Sequence, residues 1–328
     1  QAEAGKGEGV AERNSLFKPG PTRVKGEGGV HFPWRLGGML IWCRAVEDPG
    51  SKFDPECVED PGGGRSPKSV DDISVARVSD LVGVAGAMRP KTVIIPGGHR
   101  EEDLLLVESA RDHGFVANCL LVGNAERIGH SIERLGIEVA NEHIIGTQNP
   151  GETAARTVEL VHEGKADIIL KGDISTPVLN AAMLKLRVRK TMGLVTMFDA
   201  APVGNDRPMF ITDPGVTTEC TYGRLVDLIE NAIDVARAVA GLERPRVALL
   251  SANEKVIPSL RSSVVADQLT KRNWKDAIVY GPLSFDLATD MGSVESKGIP
   301  EGGLAQEVAG KADILVCPGI DMANAVYK

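Results

Sequence analysis

The sequence predicts an α/β fold with mostly parallel sheets, on three observations. Short apolar, often β-branched runs recur from about residue 72 onward, and amphipathic helical periodicity fills the stretches between them. No internal repeat of about 20–50 residues points instead to a solenoid or propeller. With 42% hydrophobic and 25% charged residues over 328 positions, the composition is that of a folded globular chain. That length suits roughly two domains of about 150 residues each.

The first 70 residues stand apart. They hold 20 of the Gly and Pro residues, against 36 in the other 258 positions. Runs such as Gly26-Glu-Gly-Gly29 and Pro61-Gly-Gly-Gly64 stop any helix or strand from propagating, so residues 1–70 read as a poorly ordered leader with no assigned function. Its one apolar patch, Met39-Leu-Ile-Trp42, is either a chance cluster or a segment that docks on the body.

The predicted strands follow in order: Thr92 to Ile95, Cys119 to Val122, Ile168 to Leu170, Leu194 to Met197, Met209 to Thr212, Val247 to Leu250, Ala277 to Tyr280 and Ile314 to Cys317. Each is a continuous apolar run, the pattern of a strand covered on both faces. The clearest helix spans Tyr222 to Ala240, where Leu225, Leu228, Ile229, Ala232, Ile233 and Ala236 recur at three- and four-residue spacing and Gly241 supplies the stop. A second runs from Glu152 to His162, with Pro150-Gly151 read as the break before it.

In open α/β sheets, ligands bind beyond the carboxyl ends of the strands, so the residues there are the functional candidates. Pro96-Gly-Gly-His99 reads as a tight turn into an acidic helix start. Lys171-Gly-Asp-Ile-Ser-Thr-Pro177 fits two readings: a phosphate cradle built from free helix N–H groups, the Ser175 and Thr176 hydroxyls and Lys171, or an N-cap with a surface lysine. Ser251 to Ser263, carrying Lys255 and Arg261, is either a cleft wall or a solvated helix start. Asp286 and Asp321 follow the last two strands as functional acids or solvated loop acids.

Other classes lose support. The excess of 45 acidic over 37 basic side chains, net charge -8, leaves no positive field to gather nucleic acid. No run approaches the roughly 18 apolar residues of a membrane helix, and no secretory signal pattern opens the chain, so membrane association is not expected and the reading is cytoplasmic. The five cysteines form no CxxC pair and read as reduced, with Cys119 and Cys317 buried in strands. The six histidines lack ligand spacing, so no metal is expected. GxxxxGK[ST], GxSxG and strand-linked GxGxxG motifs are absent.

Taken together, Ile168-Ile-Leu-Lys-Gly-Asp-Ile-Ser-Thr176, Met209-Phe-Ile-Thr-Asp213 and Val247-Ala-Leu-Leu-Ser251 resemble the phosphate acetyl/butyryltransferase family. Lys255-Val-Ile-Pro258, Tyr280-Gly-Pro-Leu-Ser-Phe-Asp286, Lys297-Gly-Ile299, Val308 to Leu315, Pro318-Gly-Ile-Asp-Met-Ala-Asn324 and Tyr327-Lys328 keep the family's order. The GPL-aromatic-Asp and KGI stretches point to its butyryl branch. Tyr280 stands where the family usually has an acid, and Ala181 where it has a basic residue.

The resemblance implies two α/β/α domains like those of isocitrate and isopropylmalate dehydrogenases. The first would span residues 71–192 plus 310–328 and the second, inserted, residues 193–309, with the active site in the cleft between them. It implies interconversion of a short-chain acyl-CoA plus phosphate with an acyl phosphate plus CoA, without cofactor or metal, in a homodimer. Lys171, Ser175, Thr176, Asn324, Tyr327 and Lys328 would hold phosphate or acyl phosphate, with Arg261, Asp286 and Asp321 in lesser roles. The family's Ser-Arg and Asp catalytic tail would follow Lys328. A non-catalytic relative that binds CoA or phosphate esters, and a fold-related metal- and NAD-dependent dehydrogenase, are the competing readings.

Overall fold

Chain segments that alternate apolar strands with amphipathic helices bury both sheet faces only by wrapping helices around them. The structure, a computed structural model, describes residues 41–43, 75, 77–200, 203, 204, 207–299 and 302–328. The first half contains β1 (Ile41–Cys43), α1 (Leu81–Ala87), β2 (Lys91–Pro96), α2 (Glu101–Asp112), β3 (Val116–Gly123), α3 (Ala125–Leu135), β4 (Ile144–Gly146), α4 (Pro150–His162), β5 (Ile168–Leu170) and α5 (Thr176–Met183). The second contains β6 (Val195–Phe198), β7 (Met209–Thr212), α6 (Tyr222–Ala240), β8 (Arg246–Leu250), α7 (Arg261–Thr270), β9 (Ile278–Leu283), α8 (Phe285–Thr289), α9 (Met291–Lys297), α10 (Gly303–Val308), β10 (Ile314–Val316) and α11 (Ile320–Tyr327).

These strands form two sheets of order β1-β5-β2-β3-β4 and β6-β7-β10-β8-β9. Only β1 and β6, at the edges, run antiparallel to their neighbours. Alternate residues of each strand feed opposite layers. In the first sheet Ile94, Leu120, Val122 and Ile169 pack with α4 and α5, while Val93, Ile95, Cys119 and Leu121 pack with α2 and α3. The second sheet repeats this, with Phe210, Val247, Leu249 and Val316 against α6 and α7 and Met209, Ile211, Leu250 and Leu315 on the other face. Every predicted strand is present. Cys119 and Cys317 lie in these layers, and burial pushes both thiols up to about 12.

Three expectations are corrected. Pro150-Gly151 opens α4 rather than preceding it: Asn149 caps the helix by accepting from the Glu152 N–H at 2.9 Å, and proline at the first position forfeits no intrahelical bond. Ile41–Cys43, within the segment read as leader, pairs with β5; the rest of residues 1–70 lies outside the described residues. Residues 310–316 do not return to the first sheet, because β10 is the central strand of the second, parallel to β7 and β8.

Asp313 explains that placement. Its carboxylate, 3% exposed, accepts from the Arg246 guanidinium at 2.7 and 2.9 Å, from the Arg246 backbone N–H at 2.8 Å and from Arg207 at 2.7 Å. Its own N–H donates to the Arg246 carbonyl and its carbonyl accepts from the Phe210 N–H, both at 2.8 Å, so one residue ties the starts of β7, β8 and β10 together.

At the opposite end of the first sheet, the chain turns after β2 through Gly97, where φ is +75°. A Cβ there would lie 2.4 Å from the Asp173 carbonyl oxygen, and one on Gly172 would lie 2.6 Å from the Gly97 carbonyl oxygen. Gly114 has the same φ of +75° but open space around it. Gly114→Ala should therefore cost only the left-handed strain of about 1–2 kcal/mol, whereas Gly97→Ala adds roughly 1–3 kcal/mol of overpacking. Denaturant titration of both variants checks the difference, and equal losses would remove the close-approach argument.

Candidate active site

Sheet order locates the crevices. In the first sheet β2, β3 and β4 succeed one another in one direction and β5 returns to the other side of β2, so the order reverses between β2 and β5. The loops after those two strands meet there: Gly172 N–H donates to the Pro96 carbonyl at 3.1 Å, Asp173 N–H donates to the Gly97 carbonyl at 3.0 Å, and His99 Nε2 lies 2.8 Å from Asp173 Oδ2.

From that junction the chain enters α5. Ser175 occupies the N-cap with extended φ/ψ, and its carbonyl accepts from the Leu179 N–H at 3.1 Å, but its hydroxyl makes no capping hydrogen bond. Thr176 and Pro177 open the helix, so the Thr176 and Val178 N–H groups precede its first intrahelical bond. The Ser175 and Thr176 side chains are both exposed. Lys171 is half-buried and folds back, with Nζ 3.3 Å from the Gly172 carbonyl. The helix start is thus an N-cap by backbone geometry whose hydroxyls remain uncommitted to capping, an arrangement suited to an anion.

The turn after β7 reaches the same neighbourhood. Asp213, 2% exposed, accepts from the Gly215 and Val216 N–H groups at 3.0 Å each and from the Thr217 N–H at 2.8 Å. Val216 packs against the layer containing Ile174, Leu179 and Met192, while Thr217 Oγ1 donates to the Met192 carbonyl at 3.2 Å. Asn324 on α11 donates from Nδ2 to the Pro214 carbonyl at 2.9 Å. One carboxylate-capped turn therefore joins the element carrying Ser175 and Thr176 to the helix carrying Asn324. Sequence reasoning did not single out Asp213 as the organiser; the only signal is an acid followed by Pro-Gly after an apolar strand.

Beyond Asn324, Tyr327 ends α11 three residues on, and Lys328 caps it. Asp321 lies exposed in the helix's first turn. Tyr327 and Lys328 are exposed as well.

The second sheet has its own reversal, since β8 leads outward to β9 and β10 returns between β7 and β8. A cavity of about 350 Å³ opens there, bounded by Thr218 to Cys220, the ends of β8 and β10, and the start of α7. Arg261 is the first residue of α7 and lines it, as does Ser262, whose Oγ is 2.9 Å from Ser251 Oγ. Asp286 is engaged elsewhere. Its carboxylate makes a 2.7 Å ion pair with Lys297, so the Gly281 to Asp286 stretch and the Lys297-Gly-Ile299 stretch close on each other. Among the described residues, no group of three or more His, Cys, Asp or Glu is arranged to hold a metal ion, and no helix is long and apolar enough to cross a membrane.

Comparison with known proteins bears on this arrangement. Residues 146–328 match the family described as phosphate acetyl/butaryl transferase. The chain is 33% identical over 246 residues to the phosphate butyryltransferase of Clostridium acetobutylicum, covering 73% of this chain and 79% of that protein. It is 37% identical over 221 residues to the phosphate acetyltransferase of Thermotoga maritima, covering 65% and 72% of the two chains. The crystal structure of a branched-chain phosphotransacylase from Enterococcus faecalis V583 superposes with a TM-score of 0.57 at 31% identity, over 73% of this chain and 83% of that one.

Two measurements test the geometry. The hydrogen bond and charge from Lys297 hold the Asp286 carboxyl at about 2, below its usual range, with Ser284 adding to the effect. Because the folded value is depressed, the stabilisation is complete above the ordinary carboxylate value near 3.9 and is lost as pH falls through about 2. In an NMR titration, Lys297→Met should move the Asp286 midpoint up toward that ordinary value; an unchanged midpoint would dismiss the pair as its cause. Asp213→Ala leaves three backbone donors unpaired, of which only the Thr217 N–H is buried, and should cost at least the roughly 1–3 kcal/mol of one buried donor in denaturant unfolding.

Proposed function

The chain belongs to the phosphate acetyl/butaryl transferase family of phosphate acyltransferases, and from that premise we propose how its residues serve the reaction. The α5 helix start holds inorganic phosphate, or the phosphoryl end of an acyl phosphate, through the Thr176 and Val178 N–H groups and the Ser175 and Thr176 hydroxyls. The observation that supports this is the N-cap whose serine does not cap: hydroxyls and helix N–H groups stand exposed on a loop pinned at the first sheet's switch point.

The reaction interconverts a short-chain acyl-CoA and phosphate with an acyl phosphate and CoA. In the direction of acyl-CoA synthesis, the CoA thiolate attacks the acyl phosphate carbonyl, the C–S bond forms, the C–O bond to phosphate breaks, and the proton the thiol gave up ends on the departing phosphate. The two substrates react directly, with no acyl-enzyme, metal or cofactor. Binding both in one site replaces a bimolecular encounter by a positioned one, the main source of rate in such a mechanism. Asn324 holds the Asp213 turn against the phosphate loop, and Tyr327 and Lys328, exposed at the end of α11, are available to the substrates. Lys171 raises the local positive potential from the loop itself. Arg261 belongs to the second sheet's crevice, Asp286 serves the scaffold through its ion pair with Lys297, and Asp321 lies exposed at the start of α11. Action as a homodimer in the cytoplasm completes the proposal.

The experiment is phosphate-dependent release of free thiol from acetyl-CoA and butyryl-CoA. The Ser175→Ala, Thr176→Ala double variant should raise the KM for phosphate about 10- to 100-fold, the equivalent of one or two charge-assisted hydrogen bonds. A double variant with unchanged KM would remove the phosphate site. CoA binding without thiol release would favour a non-catalytic relative.

A further inference from the structure

We propose that His99 is a positioning residue for the phosphate loop: together with Arg127 it holds the Asp173 carboxylate on the α3 side of the loop and so keeps the α5 helix start free for phosphate. The inference rests on the phosphate reading above and names the residues that stop an acid of the chain itself from taking the ligand's place.

The sequence sets up a conflict. Asp173 stands two residues before Ser175, the N-cap of α5. A carboxylate that close to a helix start is attracted by the same N–H groups and dipole that attract an anionic ligand. Ser175 does not cap with its own hydroxyl, so the Thr176 and Val178 N–H groups are open to either anion.

The Asp173 side chain is drawn the other way. Its Oδ2 lies 2.8 Å from His99 Nε2 and 3.8 Å from Arg127 Nη2. It faces a cavity of about 870 Å³ bounded by the turn after β2, the start of α2 and one side of α3, and Ser175 and Thr176 do not line that cavity. The general field there does not account for the direction, because Glu101, Glu102 and Glu126 line the same cavity and two of its cations are paired, Arg100 with Asp103 and Arg134 with Glu101. The specific contacts from His99 and Arg127 do account for it.

His99 is fixed more firmly than the acid it holds. Its N–H donates to the Gly97 carbonyl at 2.9 Å and its carbonyl accepts from Ser131 Oγ at 2.7 Å. The ring is 12% exposed, whereas the Asp173 side chain is 58% exposed. A carboxylate oxygen accepts, so Nε2 is the donor. The other ring nitrogen, Nδ1, is buried and has no hydrogen-bond partner among the described residues. A buried polar atom without a partner is unfavourable, so packing alone does not explain a histidine at this position, and the bond to Asp173 does.

The test is a double-mutant cycle on the full chain, read as the KM for phosphate in phosphate-dependent thiol release from acetyl-CoA and butyryl-CoA at low ionic strength. His99→Leu keeps a buried side chain but removes the donor. It should raise the KM for phosphate about 3- to 10-fold, the scale of one hydrogen bond to a partly exposed charge, and leave kcat and the KM for acyl-CoA nearly unchanged. His99→Gln, whose amide N–H can reach the same oxygen, should restore most of that loss. In an Asp173→Ala background His99→Leu should have no further effect, because no carboxylate remains to compete. Added salt should shrink the effect in the chain that keeps Asp173. A purely structural role for His99 gives an equal rise in both backgrounds and no salt dependence; that result, or an unchanged KM in folded His99→Leu, overturns the proposal. Should His99→Leu fail to fold, Arg127→Met in the same two backgrounds decides, with a rise of about 2- to 5-fold expected only where Asp173 is present and an equal or absent rise overturning the proposal. The reading beneath it fails separately: an unchanged KM in the Ser175→Ala, Thr176→Ala variant removes the phosphate site and this proposal with it, whereas a rise there with none in His99→Leu removes this proposal alone.

Discussion

Among the described glycines, the tightest approach of backbone on backbone is where Gly97 meets Gly172 and Asp173. No side chain fits between these strands, since a Cβ on either glycine would lie within about 2.6 Å of a carbonyl oxygen on the other loop. Several features follow. The loop after β5 donates two main-chain hydrogen bonds to the turn after β2, the His99 ring reaches Asp173, and the residues after Asp173 are delivered straight into a helix start. The exposed hydroxyls of Ser175 and Thr176 therefore hang on a rigid junction, and a site built on such a junction keeps its geometry better than one on a free loop.

The second sheet depends on a different device. Asp313 sits at the amino ends of β7, β8 and β10, far along the strands from the cavity, and gathers two guanidinium groups and a backbone N–H around one buried carboxylate. Removing either arginine would leave the carboxylate partly served, whereas removing the acid would release the strand that separates β7 from β8. Asp213, at the carboxyl end of β7, does the converse work: it satisfies a turn rather than a strand start. Two buried acids thus hold opposite ends of one parallel sheet, one shaping the sheet order and the other shaping the turn that leads to α11.

Much of the fold is legible in the sequence and much of the site is not. The strands are legible because each is a continuous apolar run, and α6 because its apolar stripe, Thr221 cap and Gly241 stop all agree. The three-residue strand Ile144–Gly146 is not, since two isoleucines before a glycine carry no periodicity. Nor does a local run encode its neighbours: Ile314–Val316 reads as a strand, but its pairing with β7 and β8 rests on contacts distant in sequence, among them those of Asp313 with Arg207 and Arg246. The same limit applies to the site. Ser175 and Thr176 are conspicuous as a strand-end motif, whereas Asp213 earns its importance from hydrogen bonds to its own turn. Asp286 looked like a candidate acid because its partner Lys297 is eleven positions away in sequence and adjacent in space.

An acyl phosphate joins a charged phosphoryl group to an alkyl chain through one carboxyl carbon, so a polar and an apolar environment must lie within a few bonds of each other. A single crevice lined by mixed residues would compromise both, because uncommitted polar groups next to an alkyl chain are poorly hydrated and unpaired. Two parallel sheets, each ending in its own switch point, separate the requirements. The first sheet ends in glycines, hydroxyls and a helix start, and the second ends in aliphatic side chains. The short stretch from Asp213 to Cys220 links the two ends, its first residues fixed by a buried carboxylate and its last lining the cavity. Catalysis by positioning is sensitive to small displacements, and the buried Asp213 carboxylate, bonded to three N–H groups of its own turn, restrains how far that stretch can move.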